Sequence, residues 1–106
     1  MNYRYMRVIV FFDLPVIEPA QKRAYTQFRK FLVQDGFFMM QESVYCKICP
    51  NQLGANALIE HIRKHSPKEG IVQVLTITEK QFAGIEIMVG DKKSDIVSSA
   101  ERMIVL

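Results

Sequence analysis

The run Val8-Ile9-Val10-Phe11-Phe12, halted at Asp13-Leu14-Pro15, constrains this chain most. Unbroken β-branched and aromatic residues need apolar surroundings on both sides, which is the pattern of a central strand buried on both faces. Pro15 has no N–H to give to a ladder, so the strand ends there. A chain of 106 residues has room for one core around such a strand. It leaves little volume for a deep private active site. A site at the surface, or one shared between two copies, is therefore expected.

From Pro19 to Asp35 the apolar period becomes helical, with Ala24, Phe28, Phe31 and Leu32 on one stripe. Pro19 suits the first turn and Gly36 the stop. Phe37–Cys49 is too long for one strand and reads as two, with a turn or bulge near Glu42. Pro50-Asn51 opens a second helix with Leu53, Ala57, Leu58 and Ile62 inward, ending near His65. Ile71–Thr78 is a further strand, and Ile85–Val89 is expected to be one more before the Gly90-Asp91 turn. The order β-α-β-β-α-β predicts an α+β, ferredoxin-like domain over 1–90 with an extra C-terminal strand, and an extension over 91–106. Both helices should cover one face of an antiparallel sheet. The other face is left apolar, and in so small a protein a second copy is the expected cover.

Charge and cysteine usage narrow the function classes. The net charge of +3 permits phosphate binding without demanding it. Residues 1–35 hold six Lys/Arg against three Asp/Glu, so the excess is N-terminal. No segment approaches 18 apolar residues, so no membrane span is expected. The N-terminus lacks the order of a secretory leader, and two cysteines without one point to a reducing, cytoplasmic setting.

Three constellations could carry chemistry. Asp13 stands at the end of a buried strand, where ligands are met, although aspartate before a Pro-containing turn is also an ordinary turn residue. One carboxylate holds Mg2+ poorly, and two Asp13 residues facing across a dimer axis would hold it better. Lys22, Arg23, Arg29 and Lys30 line the first helix at seven-residue spacings and offer either phosphate contacts or a plain solvated face. Cys46-x2-Cys49-x11-His61-x3-His65 approaches a zinc-finger pattern but falls short in its long gap. On a strand, Cys46 and Cys49 would also point to opposite faces. Small apolar side chains in a sheet are the simpler reading of both cysteines.

The strand ending in Phe12-Asp13, the basic helix with Arg23 and Leu32, the Gly36 stop and Gln41-Glu42-Ser43-Val44-Tyr45 resemble a known family. It is the small CRISPR-associated protein of the spacer-acquisition complex, the "Cas two" family of VapD-like nucleases. The resemblance spans roughly residues 5–90. It implies a ferredoxin-like homodimer in which Asp13 of each copy binds Mg2+ at the axis and supports cleavage of RNA or DNA. It also implies a central dimer bridging the CRISPR adaptation integrase, with duplex DNA lying across the assembly. Phe12 stands where many members have Tyr. The apolar tail Met103–Leu106 resembles the segment that docks on the integrase, though a plain edge strand has the same pattern. A regulatory or small-molecule-binding module is the alternative that this much-used fold leaves open.

Overall fold

The computed structural model describes residues 5–90. At its centre is β1 (Met6–Asp13), hydrogen-bonded to a strand on each side. The chain then forms α1 (Pro19–Gln34), β2 (Phe38–Gln41), β3 (Val44–Cys49), α2 (Gln52–His65), β4 (Ile71–Thr78) and a short α3 (Glu79–Ala83). The sheet order is β2-β3-β1-β4, with every neighbour antiparallel. That is the split βαβ plan expected from the element order.

Alternation along β1 sorts the two faces. Val8, Val10 and Phe12 join Phe28, Leu32, Phe37, Tyr45, Cys49, Ala55 and Ile62 in the core beneath α1 and α2. Burying an apolar side chain of this size contributes about 1.5–3 kcal/mol. Arg7, Ile9, Phe11 and Asp13 point the other way. On that open face Ile48, Ile71 and Leu75 are exposed.

Local chemistry sets the element ends. The Gln21 side chain accepts hydrogen bonds from the backbone N–H groups of Ile17 and Glu18, closing the start of α1. At its other end Gly36 has φ +98°, a left-handed conformation that glycine adopts without penalty. Lys47 Nζ donates to the Asp35 carbonyl at the same terminus. Between β2 and β3 the expected irregularity is present twice, as a register shift between Met39 and Gln41 and as a tight turn in which Ser43 has φ 64°. Asn51 caps α2 by accepting from the Gly54 N–H.

Two expectations are corrected. Ile85–Val89 is not a strand. The chain instead turns into α3 straight after β4, because Thr78 and Gln81 cap each other reciprocally: the Gln81 N–H donates to Thr78 Oγ1 and the Thr78 N–H to Gln81 Oε1. The inward stripe of α2 is Ala55, Leu58 and Ile62, whereas Leu53 and Ala57 are exposed. Leu53 lies in the first turn, on the side of the helix away from the sheet. The extension 91–106, with its apolar tail, lies outside the described residues. No helix among the described residues is long and apolar enough to cross a membrane.

Candidate active site

Asp13 is the last residue of β1 and is exposed on the open face. Its backbone is pinned from both sides. On one, the Phe12 N–H donates to the Ser43 carbonyl at 3.1 Å, so the Glu42-Ser43 turn sits against the strand end. On the other, Asp13 pairs with Ile71 of β4. Just before it, Gly70 has φ +92°, and a Cβ there would stand 2.7 Å from the Asp13 carbonyl oxygen. The carboxylate is thus held at a rigid rim and open to solvent. Among the described residues, no three His, Cys, Asp or Glu side chains of one chain converge on a metal. Within one chain Asp13 offers a single carboxylate, an oxygen donor of the kind hard cations take but too little to hold one well by itself.

Phe12 points into the core instead. Its ring lies 5.3 Å from Phe28 and 5.7 Å from Tyr45, centre to centre. A side chain here is directed beneath the helices, away from the Asp13 carboxylate.

The four basic residues expected on α1 are all exposed. Arg29 Nε also donates to the Tyr45 hydroxyl at 3.0 Å, tying α1 to β3. Because α1 covers the Val8–Phe12 side of the sheet, its solvent face looks away from Asp13. One chain therefore does not bring Lys22, Arg23, Arg29 and Lys30 together with the carboxylate on one surface.

Comparison with known proteins supplies the family. The sequence model described as CRISPR associated protein Cas2 matches residues 6–85. The chain belongs to the Cas2 family. Among curated relatives, the CRISPR-associated endoribonuclease Cas2 of Treponema denticola is 48% identical over 101 residues, 95% of this chain and 100% of the relative. That of Acidovorax ebreus is 49% identical over 85 residues, 80% of this chain and 83% of the relative. A solved structure described as a crystal structure of Cas2 superposes with a TM-score of 0.57 at 20% identity, covering 84% of this chain and 92% of that one. The structural likeness establishes the shared fold.

Two further clusters in this Cas2 chain complete the picture. Arg7, on the open face, forms a two-point ion pair with Glu79 of α3, its Nε donating to Oε1 at 2.9 Å. Its guanidinium lies 3.9 Å from the Phe82 ring centre and 3.6 Å from Cys46 Sγ. Burial disfavours the Arg7 charge, but the hydrogen bonds it donates to Glu79 and Cys46 outweigh it, and the arginine pKa rises above its ordinary value. The sequence reading missed this cluster, although Thr78-x-x-Gln81 signalled the helix that builds it.

The Cys/His pattern is divided by the fold. Cys49 packs in the core under the helices, while Cys46 is buried on the opposite side of β3 against Arg7. Burial raises both thiol pKa values, with Arg7 partly offsetting it at Cys46 and Lys47 at Cys49. His61 and His65 sit apart from both, on α2 beside Phe31 of α1.

Proposed function

We propose that this Cas2-family chain is a homodimeric, Mg2+-dependent endonuclease acting on RNA or DNA. The observation that carries the reading is Asp13: an exposed carboxylate, pinned by Ser43 and Gly70, at the edge of an open apolar sheet face. The relatives named endoribonuclease support the same chemistry. A second copy packed on the open face would cover Ile48, Ile71 and Leu75, whose exposure of 44–56% is otherwise unfavourable. It would also supply a second Asp13 across the two-fold axis.

In this reading the two Asp13 carboxylates hold the ion and fix the approach of the scissile phosphate. Mg2+, when bound, lowers the pKa of a coordinated water and offsets charge on the phosphate. The Ser43 turn and Gly70 fix the backbone from which each carboxylate projects. Both histidines lie on the helix side of the sheet, away from Asp13, so no imidazole serves as base and slow turnover is expected. Asp13→Ala should abolish Mg2+-dependent cleavage of labelled RNA and DNA while leaving the dimer intact. Cutting by the variant at the wild-type rate would remove Asp13 from the mechanism.

A bridging role in spacer acquisition is the companion reading, with duplex DNA and the adaptation integrase as partners. The exposed basic residues of α1, on the side away from Asp13, favour it. Such a surface would contact phosphates without taking part in cleavage. Asp13→Ala is then expected to keep duplex and integrase binding, and loss of that binding would tie both roles to one site.

A further inference from the structure

We propose that His61 and His65 form a second metal site, a two-point chelate for an imidazole-preferring divalent cation such as Zn2+, at the C-terminal end of α2. The residues stand four apart, so they share one helix face. Their ring centres are 4.6 Å apart. Imidazole nitrogens about 2.0–2.1 Å from a zinc ion, at angles of about 90–110°, would put ring centres roughly 4.5–5.2 Å apart when both nitrogens point at the metal. The observed ring-centre spacing falls within that range.

Hydrogen bonding fixes which nitrogens are available. His65 Nδ1 lies 2.9 Å from the His61 backbone carbonyl. A carbonyl only accepts, so this nitrogen carries the proton and donates. His61 Nδ1 lies 3.3 Å from Asp35 Oδ2 and donates to that carboxylate in the same way. In the neutral rings each Nε2 then carries the lone pair. This is the arrangement found behind metal-bound histidines, whose other nitrogen donates to a carboxylate or carbonyl that fixes tautomer and orientation.

Phe31 fixes the rings themselves. It stacks on His65 at 4.3 Å with planes 10° apart and meets the edge of His61 at 5.1 Å. Both histidines are exposed, the His61 side chain to 46%. An open cleft of about 280 Å3, lined in part by Gln27, Phe31 and Ser66, runs beside His65 and leaves room for waters to complete the coordination. Among neighbouring charges, Lys47 is engaged with the Asp35 carbonyl and Arg63 with Glu60, Lys64 adds a positive charge in the last turn, and the negative end of the α2 dipole favours a cation.

Donor chemistry separates this site from Asp13. Two neutral imidazoles suit Zn2+, Ni2+ or Cu2+, whereas Mg2+ prefers oxygen. The two sites also lie on opposite sides of the sheet. The buried, protonated thiols of Cys46 and Cys49 do not compete for zinc.

The test is a Zn2+ titration of the full chain with Mg2+ in millimolar excess, read by competition with a colorimetric chelator and by NMR of the histidine ring protons. One zinc per chain is expected, with both histidine signals shifting. His61→Gln and His65→Gln should each weaken binding at least tenfold, and Asp35→Asn by roughly 10–100-fold. Asp13→Ala should bind as wild type. The two histidines are exposed and Asp35 is half-buried, and circular dichroism would establish that the variants are folded. Zinc binding unchanged in both histidine variants, lost in Asp13→Ala, displaced by Mg2+, or without a shift of the histidine signals would overturn the proposal.

Discussion

Gly70 and Gly36 offer a controlled comparison of how the strand end bearing Asp13 is held. Both have positive φ, +92° and +98°, so alanine at either position takes a backbone conformation that costs about 1–3 kcal/mol. Their surroundings differ. A Cβ on Gly36 would meet the flexible end of Lys47 at 3.2 Å, which can swing away. On Gly70 it would stand 2.7 Å from the Asp13 carbonyl oxygen, 2.8 Å from Leu14 Cδ2 and 3.0 Å from Leu14 Cα. Backbone cannot yield so easily, and forcing a methyl group into packed structure adds about 1–3 kcal/mol. Gly70→Ala should therefore be the less stable variant by about 1–3 kcal/mol, the strain common to both cancelling. At roughly 4–8 °C per kcal/mol for a domain near this size, the two melting temperatures should differ by at least 4 °C. Calorimetry with matched urea melts would measure it, and nuclease assays would follow in parallel. Gly70→Ala should lose Asp13-dependent cleavage below its melting temperature, and Gly36→Ala should keep it. Equal stability of the two variants would refute the claim that Gly70 is needed for close approach to Asp13.

Two further outcomes follow from the buried thiols and the basic helix. A thiol whose pKa is raised on folding stabilises the native state fully below its unfolded value and loses that contribution as pH climbs towards the folded value. With the ordinary thiol at 9.0, stability should decline above about pH 9, and a Cys49→Ala variant should show a shallower decline in urea melts; identical slopes would show that Cys49 does not titrate late. Replacing Lys22, Arg23 and Lys30 together by Gln should lower the salt dependence of duplex binding by about one unit of slope per lost phosphate contact, and an unchanged slope would take this face out of the interface.

Much of the architecture was legible because local and global signals agree. The apolar run of β1, the helical stripe through Phe28 and Leu32, the Gly36 stop and the Asn51 cap each stand where periodicity and end chemistry put them. The two failures have physical causes. Ile85–Val89 has strand composition, but a strand also needs a partner, and α3 redirects the chain as soon as β4 ends. For α2, Leu53 and Leu58 are equally apolar, and only the position of the sheet decides that Leu58 turns inward while Leu53 stays 77% exposed.

For the candidate site the division is similar. Sequence alone determined that Asp13 ends a buried strand, that a basic helix follows, and that one carboxylate without a close histidine makes a poor solitary catalyst. These conclusions need only neighbours along the chain. Tertiary structure decided that Gly70 and Ser43, far from Asp13 in sequence, clamp its backbone. It also decided that the basic helix faces away from Asp13, that Arg7 is held by Glu79 and Phe82, and that the Cys/His pattern divides into two buried thiols and one exposed imidazole pair. Such facts depend on strand order and on which sheet face each element covers. Those are settled by long-range packing of the whole core, and no local pattern encodes them.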